Sequence, residues 1–244
     1  MSREPAAFDE ADENLEEMLD SLSGADNYIA YINDLCQPHF SGRILEIGAG
    51  NGDLTELFGR DHSVVATDIS ERLLDHLCTR FVDSPQVQVR PYDALADDAV
   101  TGEERGAFGS AVMINVLEHL DDDVDALRRI SGQLAPGGRL VVFVPAFDLL
   151  YSNFDRSIGH HRRYRRASLD AAFEAAGLRP LGARYVNLPG WLAWLLMVRL
   201  ADRPPTDPRM VKLYDRTVMP ILRRIEGRFA PPFGQSVFGV GVKA

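Results

Sequence analysis

The stretch Arg43–Thr55, RILEIGAGNGDLT, decides how the rest of the chain is organised. Its first five residues are mainly apolar and predict a short buried strand. The chain then turns through Gly48, Gly50 and Gly52, and helical spacing resumes at Asp53. A strand that turns through glycines into a helix leaves backbone N–H groups at a helix N-terminus, where a ligand can approach closely. The stretch therefore predicts a nucleotide-cofactor site.

Two classes of cofactor use such a turn, and the neighbouring acids help to separate them. A dinucleotide site has the spacing G-x-G-x-x-G/A and places a pyrophosphate on the helix dipole. Here the spacing is G-x-G-x-G, and the carboxylate of Asp53 at the helix start would repel a pyrophosphate. Glu46 precedes the turn, and Asp68 and Asp93 follow the next two predicted strands. These acids suit a ligand that has a positive centre and no phosphate, such as S-adenosylmethionine.

Five segments, taken in order, resemble the motifs of the class I S-adenosylmethionine-dependent methyltransferases. They read LEIGAGNGDL, VVATDIS, PYDAL, MINVLEHLDDD and LAPGGRLVVFVP. The resemblance implies an α/β fold with a doubly wound, mostly parallel seven-stranded Rossmann-like sheet, an antiparallel last strand and helical insertions. It also implies a bacterial enzyme that transfers the methyl group of S-adenosylmethionine in line to oxygen, nitrogen or carbon of a small or medium-sized metabolite.

The resemblance assigns roles to residues at the carboxyl ends of the predicted strands. Asp68 stands twenty residues beyond Gly48, where a carboxylate can accept two hydrogen bonds from a ribose diol. Ile69 would lie against the adenine face, and Asp93 would meet the adenine amino group, although a loop acid can also simply be solvated. The predicted cofactor residues are Glu46, Gly48, Gly50, Gly52, Asp68, Ile69, Asp93, Ala94 and Asn115.

Methyl transfer from a sulfonium needs an aligned acceptor, and a base only where the acceptor must lose a proton. His119 follows the fourth predicted strand and is the first candidate for that base. The alternative is a structural turn in which Glu118 or His119 bonds to the backbone. Tyr28 is a second catalytic candidate, because helices before the sheet often lie over the cofactor in this family. No metal site is predicted, since Cys36 and Cys78 have no partners at zinc spacing.

Two insertions, 147–167 and 189–232, interrupt the alternation after the fifth predicted strand. The first carries the pattern D-x-x-x-G-H-x-R-R-Y, which resembles a bacterial subgroup of these methyltransferases, and the second carries a strongly apolar helix. An apolar helix needs a partner, so we expect the insertions to fold together as a lid over the acceptor. Arginines on a loop can equally pair with surface acids. The predicted substrate residues are His160, Arg163, Tyr164 and Trp191.

Composition limits the classes of partner. The formal net charge of −10 argues against nucleic-acid binding, and the Asn/Asp-Pro-Pro-aromatic motif of amino-group DNA methyltransferases is absent after the fourth predicted strand. The apolar helix is too short to span a bilayer, and the first residues lack the apolar core of a signal peptide. We therefore expect a cytoplasmic enzyme with a small-molecule methyl acceptor, and a homodimer is an open option.

The expected domain organisation has three parts. Residues 1–14 form a disordered acidic N-terminus, 15–41 a helical cap, and 42–244 the methyltransferase domain with its two insertions. Eight acids and one arginine in residues 1–23 predict the disorder. A non-catalytic cofactor-binding module and a nucleotide-dependent oxidoreductase are the alternatives in other functional classes.

Overall fold

The computed structural model describes residues 24–96, 99–100, 102–103, 105–201 and 207–244. The strands are β1 (Ile44–Ile47), β2 (Val64–Asp68), β3 (Val87–Pro91), β4 (Phe108–Ile114), β5 (Leu134–Pro145), β6 (Leu178–Pro180), β7 (Arg184–Val186) and β8 (Ser236–Lys243). The helices are α1 (Asp26–Cys36), α2 (Asp53–Phe58), α3 (Glu71–Arg80), α4 (Asp123–Gln133), α5 (Asn153–Ser157), α6 (Arg166–Ala175), α7 (Leu188–Ala193), α8 (Pro208–Thr217) and α9 (Met219–Glu226). Short 3₁₀ turns cover Gln37–His39, Leu117–His119 and Asp148–Leu150, and a π-helical segment covers Trp194–Leu200.

The strands form one sheet in the order β3-β2-β1-β4-β5-β8, and both β6 and β7 pair with β8. Strands β1 to β5 are parallel, and β8 runs antiparallel to β5. The strand order reverses between β1 and β4, and doubly wound sheets bind their ligands at the carboxyl ends of the strands at such a point. The predicted α/β fold with an antiparallel last strand is confirmed.

Alternation along the central strands builds a core on each face of the sheet. In β5, Leu140 and Val142 join a cluster that includes residues of α4 and α6. Val141 and Phe143 point the other way and join a cluster that includes residues of α1 and α9. The sheet is therefore covered on both faces, as expected for parallel strands.

The sixth predicted strand is divided in two, so the sheet has eight strands rather than seven. The sequence predicts one strand over 181–188, but β6 ends at Pro180 and β7 begins at Arg184. Gly182 lies between them with a φ of +99°, a left-handed conformation that favours glycine. The turn at this glycine interrupts the ladder, and pairing with β8 resumes after it.

Two helix boundaries also differ from the prediction. The sequence predicts one helix over 210–229, but the structure has two, because Pro220 in the first turn of α9 has no N–H to continue the ladder of α8. The sequence also predicts Ser168 as the cap of α6, but Ser168 is the third residue of that helix. Its Oγ accepts the backbone N–H of Arg165, so it still stabilises the helix start. Ser70 caps α3 as predicted.

The predicted disordered tail at 1–14 and the first part of the helical cap lie outside the described residues. The described part of the cap forms α1, which buries Tyr31, Ile32 and Leu35. In the described ranges, no helix has both the length and the apolar character needed to cross a membrane.

Candidate active site

The glycine turn between β1 and α2 has the backbone conformation that glycine adopts most readily. Gly48, Gly50 and Gly52 have φ values of +71°, +55° and +83°. A Cβ at Gly48 would clash with Val116, and one at Gly52 would clash with Phe81. The turn therefore needs glycine both for its left-handed backbone and for its close contact with neighbouring segments.

Asp68, the last residue of β2, is bonded directly to this turn. Its Oδ2 accepts the backbone N–H of Gly50 at 3.1 Å, and its Oδ1 accepts the N–H groups of Ile69 and Ser70 at 2.8 and 3.1 Å. A carboxylate has about four acceptor positions, so capacity remains for a further hydrogen bond. The carboxylate is buried and fixed in place, while its contact with the ribose stays a prediction.

Glu46 carries a buried carboxyl group on β1, just before the turn. Burial raises the pKa of this carboxyl to about 8, against the lowering effect of a 2.6 Å hydrogen bond from the Thr55 hydroxyl. The group is therefore largely protonated at pH 7, and a nearby cation would favour its ionised form. This behaviour suits the methionine end of S-adenosylmethionine, which carries an ammonium group and a sulfonium.

The residues predicted to meet the adenine follow β2 and β3. Ile69 is largely exposed, although large apolar side chains are more often buried. Asp93 accepts the backbone N–H of Leu95 at 2.8 Å, and Ala94 is buried. The exposed face of Ile69 is suited to covering by a flat ring, and the adenine contacts of all three predicted residues stay predictions.

A second cluster of predicted residues lies where β4 ends. The side chains of Asn115 and Tyr28 interact there. Burial raises the pKa of the Tyr28 hydroxyl, and the charge of Glu118 raises it further, although the Asn115 side chain lowers it. Glu118 is fully buried, and neither of its carboxylate oxygens has a hydrogen-bond partner in the described part of the chain.

Two histidines surround Glu118. His160 Nε2 lies 3.7 Å from Glu118 Oε1, and His160 Nδ1 lies 3.0 Å from Asp155 Oδ1. The ring of His119 packs edge-on against that of His160, with centroids 4.6 Å apart. Burial raises the pKa of Glu118 to about 7, although the charge of His160 lowers it. Burial also lowers the pKa of His119 to about 3, so His119 is neutral at pH 7 while Glu118 titrates close to it.

The D-x-x-x-G-H-x-R-R-Y pattern folds into a buried network. The Nε and Nη2 atoms of Arg163 each lie 2.8 Å from Asp155 Oδ1, and both side chains are almost fully buried. The other carboxylate oxygen of Asp155 accepts the N–H and the hydroxyl of Ser152. The guanidinium group of Arg163 also stacks on Trp194, 4.7 Å from the ring centroid. This network joins the first insertion to the π-helical segment of the second.

The remaining predicted substrate residues have different environments. Tyr164 is buried, and its hydroxyl donates to Asp123 at 2.7 Å. Trp191 packs against Phe233, and its buried indole N–H has no acceptor within the described ranges. Arg163 and Tyr164 thus already have partners inside the protein, whereas His160 and Trp191 keep polar atoms that a ligand could engage.

The structure brings most of the predicted residues into two adjoining groups. Glu46, the turn glycines and Asp68 form one, and Tyr28, Asn115, His119 and His160 form the other around Glu118. Val116 joins the two groups, because it lies against Gly48. Sequence reasoning treated Glu118 only as part of a structural turn. Its position in the short turn that follows a central parallel strand was the signal that could have identified it.

Glu118, His119 and His160 also form the one group of acids and histidines in the described ranges whose ligand atoms all lie within 4.8 Å of one another. Such a group can share a proton or surround a cation. A chelator would abolish the function of a cation site and leave a proton-sharing group unaffected, so an experiment with a chelator separates the two uses.

A family model described as a methyltransferase domain matches residues 45–140, a range that contains the glycine turn, Asp68 and Glu118. Residues 45–140 therefore carry a class I S-adenosylmethionine-dependent methyltransferase domain. S-adenosylmethionine is accordingly its cofactor, and the chemistry around the glycine turn fits it, because the turn adjoins a buried acid whose ionised form a cation would favour and a fixed carboxylate that can accept a further hydrogen bond.

Curated relatives carry a more specific name. "Ubiquinone biosynthesis O-methyltransferase" of Caulobacter sp. (strain K31) is 28% identical over 146 residues, which are 59% of this chain and 47% of that protein. The protein of the same name from Xanthomonas axonopodis pv. citri (strain 306) is 26% identical over 186 residues, 72% of this chain and 77% of that protein. The matched part thus spans about half the length of the first relative and about three quarters of the second.

A solved structure of geranyl diphosphate methyltransferase in complex with S-adenosylmethionine has the same fold. Its TM-score is 0.63 at 16% identity, and the match covers 90% of this chain and 85% of that one. At this identity the likeness concerns the fold alone.

Proposed function

We propose that this methyltransferase methylates a hydroxyl oxygen of a small or medium-sized acceptor, with Glu118 as the general base. The main support is that Glu118 is a fully buried carboxyl group, without a hydrogen-bond partner in the described residues, at the end of β4. A hydroxyl loses its proton as it is methylated, and a base with a pKa near 7 is matched to accept that proton at neutral pH. The name of these relatives, O-methyltransferase, favours oxygen as the acceptor atom.

The other residues around Glu118 position it or the acceptor. His119, the base predicted from the sequence, is the weaker base because its pKa is only about 3. We assign it the support of the His160 ring, and we assign Tyr28 and His160 to contact with the acceptor. Arg163 and Tyr164 act as positioning residues behind this surface.

Bound S-adenosylmethionine supplies the transferable methyl group, and the chain aligns the acceptor and excludes water. The cofactor would be held by Glu46, Gly48, Gly50, Gly52, Asp68, Ile69, Asp93, Ala94 and Asn115. Alignment of this kind can lower a reaction barrier by about 7–11 kcal/mol, so the enclosure of the acceptor matters as much as the base.

The two insertions are the proposed enclosure. Trp194 of the second donates its indole N–H to the carbonyl of Leu150 in the first, at 3.1 Å. Phe154 packs against the same tryptophan ring. These contacts support a joint lid over 147–167 and 189–232, with Trp191 as a wall of the acceptor site. We also propose a cytoplasmic location, which the free thiols of Cys36 and Cys78 favour, and leave a homodimer as an option.

Turnover of a panel of phenols and catechols, followed as S-adenosylhomocysteine, tests the proposal. We expect kcat of the parent to rise as pH passes about 7 and then to level off, because Glu118 must be ionised to act as base. Glu118→Gln is expected to lose this rise and about 100-fold or more in kcat, with unchanged cofactor affinity. His119→Asn is the matched control and is expected to keep the rise.

Two outcomes would contradict the role of Glu118. One is a Glu118→Gln variant that stays within a few-fold of the parent and keeps its pH profile. The other is turnover that EDTA stops and Mg²⁺ restores, because Glu118, His119 and His160 would then hold a cation rather than a proton.

A further inference from the structure

Helix α9 and the turn after it present a row of exposed apolar side chains. Ile221, Ile225 and Phe229 recur every four residues and are 58%, 55% and 72% exposed. Residues at this interval lie on one face of a helix. Arg224 and Arg228, also exposed and four residues apart, run directly beside this row. The apolar row is thus flanked by a cationic one.

Helix α8 repeats the arrangement. Met210 and Leu213 are both more than half exposed and lie three residues apart. Arg209, Lys212 and Arg216 form an exposed cationic row at intervals of three and four residues. None of these three cations, nor Arg224 and Arg228 on α9, belongs to an ion pair in the described part of the chain.

Helix α7 and the π-helical segment add a third row, in which Leu192, Leu196 and Leu200 are each at least half exposed. The exposed residues of α8 and α9, which pack against each other, are called the basic–apolar face below. Monomeric proteins seldom leave large apolar patches exposed without a partner.

The acids of the same helices do not neutralise this face. Asp215 of α8 is buried and accepts hydrogen bonds from Asn27 and from the N–H of Tyr28. Glu226 of α9 is buried and accepts from the Tyr31 hydroxyl and the N–H of Asn187. Both carboxylates therefore point into the protein. The basic–apolar face stays cationic on a chain whose formal net charge is −10.

We infer that the basic–apolar face docks onto the surface of an anionic lipid bilayer. Helices with an apolar row beside a cationic row lie in the plane of the lipid interface, where the cations attract anionic headgroups. A second copy of the chain is a poorer occupant, since a symmetric contact would set these cations against the same cations. The inference does not depend on the proposed function, because lipid binding is measured without acceptor.

Flotation of the full chain with vesicles tests the inference. We expect binding to vesicles of phosphatidylcholine with about one third phosphatidylglycerol, weak binding to pure phosphatidylcholine, and release as NaCl is raised. Two double variants are each expected to lower the partition coefficient at least about tenfold. One combines Ile225→Ser with Phe229→Ser, and the other combines Arg224→Glu with Arg228→Glu. Val82→Ser with Leu181→Ser removes exposed apolar side chains elsewhere and is expected to stay within about twofold of the parent.

Circular dichroism and cofactor affinity confirm that each variant is folded. Equal binding by the parent and by the two face variants would overturn the inference, and so would equal binding to charged and uncharged vesicles. A dimer that Ile225→Ser with Phe229→Ser dissociates would assign the face to a second copy. Vesicle binding that appears only after removal of residues 1–23 would mean that this acidic segment, and not a bilayer, occupies the basic–apolar face in the full chain.

Discussion

Glu46 shows how one buried group can report on cofactor binding. Its carboxyl, with a pKa of about 8, is mostly protonated at pH 7. A bound ammonium or sulfonium favours the ionised form, so we expect cofactor binding at pH 7 to displace up to about one proton from Glu46. Calorimetry in buffers of different ionisation enthalpy measures this proton release.

The matched control is Glu46→Gln, which keeps the hydrogen bond to Thr55 and cannot ionise. We expect the parent to release more protons than this variant at pH 7, and the difference to shrink near pH 9, where Glu46 is already ionised. An equal release by both proteins at pH 7 would contradict the role of Glu46 beside the cationic end of the cofactor.

The sequence predicted the left-handed backbone of the glycine turn and the position of Asp68 at the end of β2, because both depend on local geometry. Left-handed backbone and the end of a buried strand leave clear marks on neighbouring residues. Glu118 could not be ranked in the same way, since its pKa depends first on its burial and then on the charge of His160, which lies some forty positions further along the chain. Burial also lowers the pKa of His119, with the charges of His160 and His161 as further causes, and this makes His119 a poorer base than its sequence position suggested.

At the scale of elements, the Asp155–Arg163 pair holds the first insertion together. Arg163→Met would leave the Asp155 carboxylate buried without its cation, and breaking a buried pair costs about 3–5 kcal/mol. We expect a loss of that order in the free energy of unfolding, measured with urea. Arg162→Met is the matched control, because Arg162 forms a partly exposed pair with Asp123 and its loss is expected to cost below about 1 kcal/mol. Equal losses in the two variants would contradict the structural role of the buried pair.

The packing of the first insertion around this pair could not be predicted from the sequence. A run of arginines and histidines is normally a solvated loop, and no local signal distinguishes Arg163, which is buried, from Arg162, which is partly exposed. Burial of Arg163 follows from the approach of Trp194 in the second insertion, a tertiary contact. The strands, by contrast, were predictable because continuous apolar runs between turn residues indicate buried parallel strands.

At the scale of the whole molecule, the two buried carboxyls make stability depend on pH. Burial raises the pKa values of Glu46 and Glu118 from an ordinary 4.5 to about 8 and about 7. At pH values between 4.5 and the raised pKa of each group, the folded state holds a proton that the unfolded chain has lost. The free energy of unfolding therefore falls as pH rises. His39 and His119, whose pKa values burial lowers, act in the opposite direction below about pH 6.5. In the range from about pH 6.5 to 8 the effect of the two acids therefore outweighs that of the histidines.

We expect the free energy of unfolding to fall by about 2–3 kcal/mol over that range, since one pKa unit corresponds to about 1.4 kcal/mol. Urea unfolding at several pH values measures the slope. The Glu46→Gln, Glu118→Gln double variant is expected to lose most of it, and each single variant a part, with Glu46 dominating above pH 7 because its pKa is the higher. A double variant whose slope matches that of the parent would mean that neither carboxyl is protonated in the folded state at neutral pH. Glu118 could then act as base only as a carboxylate that is already ionised at neutral pH, and kcat would not rise as pH passes 7.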